Sequence, residues 1–324
     1  MPGVDVPAAA AAIRGRLQRT PLLSSETLGR AFGGRAFLKA ELLQKTGSFK
    51  PRGVLTKLAS LSPEEKARGV IAASAGNHAA ALAWACAAEG VDCLVVMWQG
   101  ASEAKRAAAL GYGAAVDEEV AGPGEVFERL AELQAASGRV LVHPFDDPLV
   151  LAGQGTVGLE IVEAAPEVDV VVVPTGGGGL VSGIASALPE RRIVAVEPEG
   201  SAALHAALEA GRPVDLEARS IADGLNAPFA GEHAVRICRA RGVESVLVTE
   251  EEIAEGFRFL YERAKLAAEP AGAAGVAALL AGKVEAVEAA TVAVVVSGGN
   301  VEASTASGIL KRTDLSTDED RDPS

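Results

Sequence analysis

Hydrophobic positions along the chain fall into short β-branched runs that alternate with longer alanine-rich stretches. GVIAAS (69–74) precedes HAAALAWACAAEG (78–90), VDCLVVM (91–97) precedes SEAKRAAALGYG (102–113), and RVLVHP (139–144) precedes a helical stretch through Gly158 and Ile161. The pattern resumes with VDVVVVP (168–174), a glycine loop, LVSGIASAL (180–188) and RRIVAVEPEG (191–200). A further helix, ESVLVTE (244–250), two helices and ATVAVVVSGG (290–299) complete it. Continuous runs such as VVVV are expected of strands covered on both faces. The alternation predicts an α/β chain built from open parallel sheets. At about 150 residues per domain, the 324 residues suggest two such domains.

Composition narrows the picture. With 49% hydrophobic and 23% charged residues the chain must bury a core rather than stay disordered. Aromatics are only 4% against 36 glycines, which favours close packing of helices on sheets. A formal charge of −13 offers no net positive field, so neither nucleic acid nor an anionic membrane surface is expected as a partner. Any anion must be held locally. No apolar run reaches the roughly 18 residues of a membrane span. The alanine-rich start resembles a surface helix and lacks the basic region of a signal peptide, so a cytoplasmic location is expected. Cys86, Cys93 and Cys238 are odd in number and form no CxxC pair, so they read as reduced, buried small hydrophobes, with no metal site expected. Residues 312–324 concentrate charge without apolar periodicity and read as a disordered tail.

Ligands of open parallel sheets gather where strands end and helices begin. Three such junctions are chemically unusual: Ser74-Ala75-Gly76-Asn77-His78, the loop after Thr175, and Ser297 with the following GGN. In the loop, Gly176, Gly177, Gly178 and Gly179 carry no Cβ, and a helix is predicted from Leu180. Their N–H groups and the helix dipole can converge on one anion; a merely tight turn is the bland alternative. A G-x-G-x-x-G register would need glycine at Val181 or Ser182, and no G-K-[ST] ending follows, so dinucleotide and Walker loops both fail. A compact site for a single phosphate remains.

The fourth segment, KTGSFKPRG (45–53), sets Lys50 before Pro51, a residue suited to the first position of a helix. A lone lysine is usually a solvated surface charge. Here it is flanked by Gly47, Ser48 and Phe49, and the same chain carries an isolated phosphate cradle. An unperturbed lysine is neutral at pH 7 in only about 4 of 10,000 molecules, so a nucleophilic one needs desolvation or covalent capture. A Schiff base supplies that capture, and pyridoxal phosphate combines an aldehyde with one phosphate.

Taken in order, ELLQKTGSFKPRG, SAGNHAAALA, PTGGGGL, ADG, EPAGAAG and SGGN cover most of residues 20 to 305. Together they resemble the serine/threonine dehydratase and serine racemase family, within the tryptophan-synthase-β-like, fold type II pyridoxal phosphate enzymes. The resemblance is nearest to its threonine dehydratases. It implies a large cofactor-binding domain from residues 1–55 and 142–311 and a small inserted domain from 56–141. It implies that Lys50 carries pyridoxal 5'-phosphate and then acts as the base, that Phe49 packs on its ring, and that Asn77 bonds its 3′-oxygen. Gly176 to Gly179 and Leu180 would hold the phosphate, Gly224 would border the ring, and Ser297 would meet the pyridine nitrogen. The substrate carboxylate would lie over Ser74, Ala75, Gly76, Asn77 and His78.

A neutral Ser297 hydroxyl would favour an unprotonated ring nitrogen, hence β-elimination from a hydroxyl-bearing amino acid over transamination. The implied activity is dehydration and deamination of L-threonine or L-serine to a 2-keto acid and ammonia, by a homodimer. Racemases of the family carry a second serine where this chain has Ala75, which argues against racemisation. Metal-dependent relatives place carboxylates at Glu197 and six residues later, where this chain has Ala203. Hydroxyaspartate or another β-hydroxy amino acid as substrate, a non-catalytic amino-acid sensor, and a nucleotide-binding oxidoreductase remain open from the residues.

Overall fold

The computed structural model describes residues 4–100, 103–122 and 125–311. The predicted tail, 312–324, lies outside them. The first half of the chain forms α1 (Val6–Ala12), β1 (Leu22–Ser24), α2 (Glu26–Phe32), β2 (Arg35–Ala40), α3 (Pro51–Ala59) and α4 (Pro63–Arg68). It continues as β3 (Val70–Ala73), α5 (Asn77–Glu89), β4 (Cys93–Trp98), α6 (Glu103–Gly111), β5 (Ala115–Val120), α7 (Val126–Ser137) and β6 (Val140–Leu141). The second half adds α8 (Pro148–Ala164), β7 (Val170–Pro174), α9 (Gly179–Ala187), β8 (Arg192–Pro198), α10 (Ala203–Ala210) and α11 (Glu232–Arg241). Then come β9 (Glu244–Val248), α12 (Glu250–Phe259), α13 (Pro270–Leu280), β10 (Thr291–Val296) and α14 (Ala303–Leu310).

The strands build two sheets, one of six strands in the order β1-β2-β10-β7-β8-β9 and one of four in the order β5-β4-β3-β6. The expected parallel α/β architecture holds for both, except that β1 pairs antiparallel with β2 at the edge of the larger sheet. A three-residue return strand needs no crossover helix, which is why this pair escapes the helical rhythm. The alternation also hid β5, whose sequence AVDEEV looks like loop. Its acids are satisfied by Arg106 to Glu118 at 2.6 Å and Arg129 to Asp117 at 2.9 Å.

Continuous aliphatic strands face two cores. Val170, Val172, Val194, Val196, Val292 and Val294 pack with α13, whereas Val171, Val173, Ile193, Ala195, Ala293 and Val295 pack with α8 and α9. Period-two side-chain alternation thus sends one valine run into both layers. The small sheet repeats the device, with Val70, Ala72 and Val95 on one face and Ile71, Ala73 and Val96 on the other. Glycine sets the closest helix approach: a Cβ on Gly183 of α9 would stand 2.3 Å from the Leu151 carbonyl of α8. The three cysteines are buried and free, as expected. Among the described residues no helix is long and apolar enough to cross a membrane.

Candidate active site

The carboxyl ends of β3, β7 and β10 open on one cavity of about 900 Å³ between the two sheets. Every site residue singled out from the sequence lines it: Phe49 and Lys50, the run from Ser74 to His78, Gly176 to Leu180, Gly224 and Ser297. Segments far apart in sequence converge because all but Gly224, which lies in the stretch between α10 and α11, follow a strand or open a helix at this edge.

Lys50 directly precedes α3, whose first residue is Pro51. The segment carrying Lys50 is tied to the end of β10: Phe49 N–H donates to Ser297 O at 3.1 Å, and Gly299 N–H to Gly47 O at 2.9 Å. The Lys50 amine donates to the Pro144 carbonyl at 2.9 Å and lies 5.1 Å from the centre of the Phe49 ring. Among the described residues no carboxylate forms an ion pair with it. Burial therefore dominates and lowers its pKa to about 8, against a weaker upward pull from the Glu269 charge.

At α9 the helix begins one residue earlier than predicted, at Gly179. Gly178 precedes it with φ of 86°, a left-handed conformation that suits glycine. No side chain caps this helix, so its first-turn amides remain available. Phe145 closes the loop from behind, as a Cβ on Gly177 would stand 2.4 Å from its ring. Phe145 in turn packs edge-on to His143 and Phe229.

The start of α5 is likewise without a side-chain cap. Ser74 Oγ accepts the Gly76 N–H at 3.2 Å and shapes the turn. The His78 ring points away from that turn, its Nε2 2.9 Å from Val142 O, with Nδ1 buried and unpartnered among the described residues. Burial first, and the Lys50 charge second, lower its pKa to about 3, so the ring is neutral.

Two groups were missed in the sequence. Glu269 and Asn300 stand inside the quoted segments EPAGAAG and SGGN, yet neither was singled out. Asn77 Nδ2 donates to Glu269 Oε1 at 2.7 Å, and Asn300 Nδ2 donates to Asn77 Oδ1 at 2.7 Å. At the mouth, Lys105 of α6 pairs with Asp223 beside Gly224, joining the two sides of the cleft. The signal for Glu269 was an acid directly before a helix-opening proline, which reads as ordinary helix chemistry.

Glu197, second from the end of β8, is fully buried. Its carboxylate accepts the Leu204 N–H at 2.7 Å and the His205 N–H at 2.8 Å, and Ser245 Oγ donates to it at 3.2 Å. It therefore caps α10. Ala203, where relatives with a cation site are expected to carry a second acid, is buried.

A family model described as pyridoxal-phosphate dependent enzyme matches residues 13–298. An L-threonine ammonia-lyase of Thermotoga maritima is 42% identical over 313 residues, which span 95% of this chain and 78% of the relative. A solved threonine deaminase, from T.th., is 41% identical with a TM-score of 0.85, covering 92% of this chain and 97% of that one. Maize serine racemase is 35% identical with a TM-score of 0.88, covering 93% and 94%.

Proposed function

Since the chain belongs to the pyridoxal-phosphate dependent enzymes, we propose that it eliminates water from L-threonine and L-serine, releasing a 2-keto acid and ammonia. The observation that carries this reading is the desolvated Lys50 amine, free of a carboxylate partner and facing uncapped main-chain amides across one cavity. Those features fit an aldehyde that bears a single phosphate. The names of the threonine ammonia-lyase and threonine deaminase similar to this chain support the substrate.

The cofactor supplies an aldehyde that captures amines and a conjugated ring that accepts the electron pair left at the α-carbon. In this reading Gly176 to Leu180 hold the phosphate through their amides and the positive end of α9. Phe49 would pack on the ring, Gly224 would border it, Asn77 would bond the 3′-oxygen, and the neutral hydroxyl of Ser297 would meet the ring nitrogen, as the family resemblance implies.

With the cofactor bound, the Lys50 amine would be the base that takes the proton from the substrate's α-carbon. In the cofactor-free chain burial lowers its pKa to about 8, which brings the neutral amine within reach near neutral pH. In this reading the substrate carboxylate would lie over Ser74 to His78 at the start of α5, where the N-cap Gly76 offers no side-chain cap, although the Gly76 N–H already donates to Ser74 Oγ and the Ser74 N–H to Val96 O. Phe145 and Phe127, each packed on Phe229, give the cavity an apolar wall. Ala75 provides no exchangeable proton on the face opposite Lys50, which favours elimination over racemisation.

The same reading includes a homodimer, supported by the family resemblance, and a cytoplasmic location, with which three buried, free cysteines agree. Light scattering tests the dimer. The reaction is tested by supplying purified protein with pyridoxal phosphate and a panel of β-hydroxy amino acids, and measuring keto acid and ammonia. A visible band bleached by borohydride, with turnover of threonine and serine, is expected. A colourless protein, or turnover of hydroxyaspartate alone, overturns the proposal.

A further inference from the structure

We infer that Glu269 is a positioning residue for this reaction, holding the Asn77 amide in one orientation and setting a titratable charge beside the cofactor site. The inference rests on the pyridoxal phosphate reading.

Glu269 stands at the entry to α13, but its side chain caps nothing there and lines the cavity instead, with 4% of its surface exposed. Its Oε1 accepts from Asn77 Nδ2, while Asn77 Oδ1 accepts from Asn300 Nδ2, itself also bonded to the Thr46 carbonyl at 2.7 Å. Both ends of the Asn77 amide are therefore assigned. A flipped amide would set oxygen against the carboxylate and nitrogen against nitrogen. One N–H of Asn77 Nδ2 is left over for the cavity.

The backbone makes room for this arrangement. A Cβ on Gly298 would stand 2.3 Å from Glu269 Oε1, and one on Gly224 would stand 3.5 Å away. Among the described residues no cationic side chain forms an ion pair with Glu269, and a buried carboxylate without one is costly to keep ionised. Burial first, and the charge of Asp223 second, raise its pKa to about 7. Asn77, Lys105 and the Asn300 backbone N–H oppose the rise. The charged groups facing it are thus Asp223 and Lys105, paired with each other, and Lys50 across the cavity. When ionised, Glu269 adds a negative charge next to Asn77. When protonated, it withdraws that charge while its carbonyl oxygen can still accept the same hydrogen bond.

The test follows the visible absorption of the cofactor-loaded enzyme from pH 5.5 to 9 in the absence of substrate. The wild type should show a step within this range, above the ordinary carboxylate value, because burial and the Asp223 charge raise the Glu269 pKa. Glu269→Gln should lose the step while keeping a borohydride-sensitive band. Asp223→Asn removes the like charge and frees Lys105, so the midpoint should fall by on the order of half a pH unit. Should Glu269→Gln fail to fold, Asp223→Asn alone decides. A step unmoved in either variant, or a wild-type band without a step, overturns the role of Glu269 alone. A wild type with no borohydride-sensitive band overturns the cofactor reading as well.

Discussion

Arg52 and Glu41 meet in a two-point pair, Nε to Oε2 at 2.8 Å and Nη2 to Oε1 at 2.7 Å, with both side chains closed off from solvent. Arg52 also grips Glu160 on α8 at 2.7 and 2.9 Å, and Glu160 accepts from Lys39 of β2 at 2.5 Å. This buried network joins β2 and α8 to α3, two residues beyond Lys50. Arg52→Met would leave Glu41 and Glu160 facing Lys39 alone, and should cost about 3–5 kcal/mol of stability, read as a lower urea midpoint. Arg52→Lys should recover only part, because an ammonium cannot reproduce the fork. A loss below about 1 kcal/mol for Arg52→Met would show that the network does not anchor this helix.

Desolvation brings the Lys50 amine from the ordinary lysine value of 10.5 down to about 8. The rate at which cofactor-free protein captures pyridoxal phosphate should therefore rise with pH and level off above about 8. Stopped-flow absorbance gives the profile; a rate still climbing at pH 10 contradicts the lowered value. Lys50→Ala should abolish both capture and ammonia release.

At the glycine loop, Gly177→Ala sets a methyl group against the Phe145 ring at 2.4 Å, so either the ring or the loop must move. Cofactor affinity should fall at least about tenfold, equivalent to about 1.4 kcal/mol. Titration of the cofactor-free protein checks it, and an unchanged affinity would mean that the loop does not bear the phosphate.

Ala75→Ser adds a hydroxyl at the start of α5, where the wild type has only a methyl group. Racemisation of serine should increase relative to elimination, measured by chiral chromatography of the remaining substrate together with keto acid. Flat racemisation removes the argument from a second proton donor.

Glu197 and Glu269 both have pKa values raised from 4.5 to about 7, chiefly by burial. Between those values the unfolded chain has released protons that the folded chain retains. Their contribution to stability is therefore full below about 4.5, declines as pH rises, and is lost above about 7. Each can contribute a slope of up to about 1.4 kcal/mol per pH unit within the window. Cofactor-free Glu269→Gln should show a shallower decline of urea stability between pH 5 and 7 than the cofactor-free wild type, and equal slopes would contradict the buried titration.

Much of this was readable from residue order, for identifiable reasons. Val170–Val173 has no polar face to offer solvent, so it announces a strand covered on both sides. Gly176–Gly179 and Lys50-Pro51 stand out as local patterns at helix starts, though a tight turn and a surface lysine are their bland alternatives, and the structure brings both patterns to one cavity. The acidic strand β5 was hidden because Asp117 and Glu118 are matched by Arg129 and Arg106, partners no short window reveals. Glu269 was hidden for a similar reason: its bond to Asn77 spans 192 positions of sequence. The early start of α9 follows from Gly178, whose left-handed turn releases the chain into helix one residue ahead of the first aliphatic side chain.

The neighbours of β10 carry a consequence for synthesis. This strand lies between β2 and β7, so Thr291 pairs with Arg35, 256 positions earlier in the chain. During translation β2 must wait until β3 to β9 have left the ribosome before its bonds to β10 can close. The four strands β3 to β6 face no such delay. The smaller sheet should assemble first, and the nascent larger one should remain open, with an aliphatic edge in need of chaperone shelter until its last strand arrives.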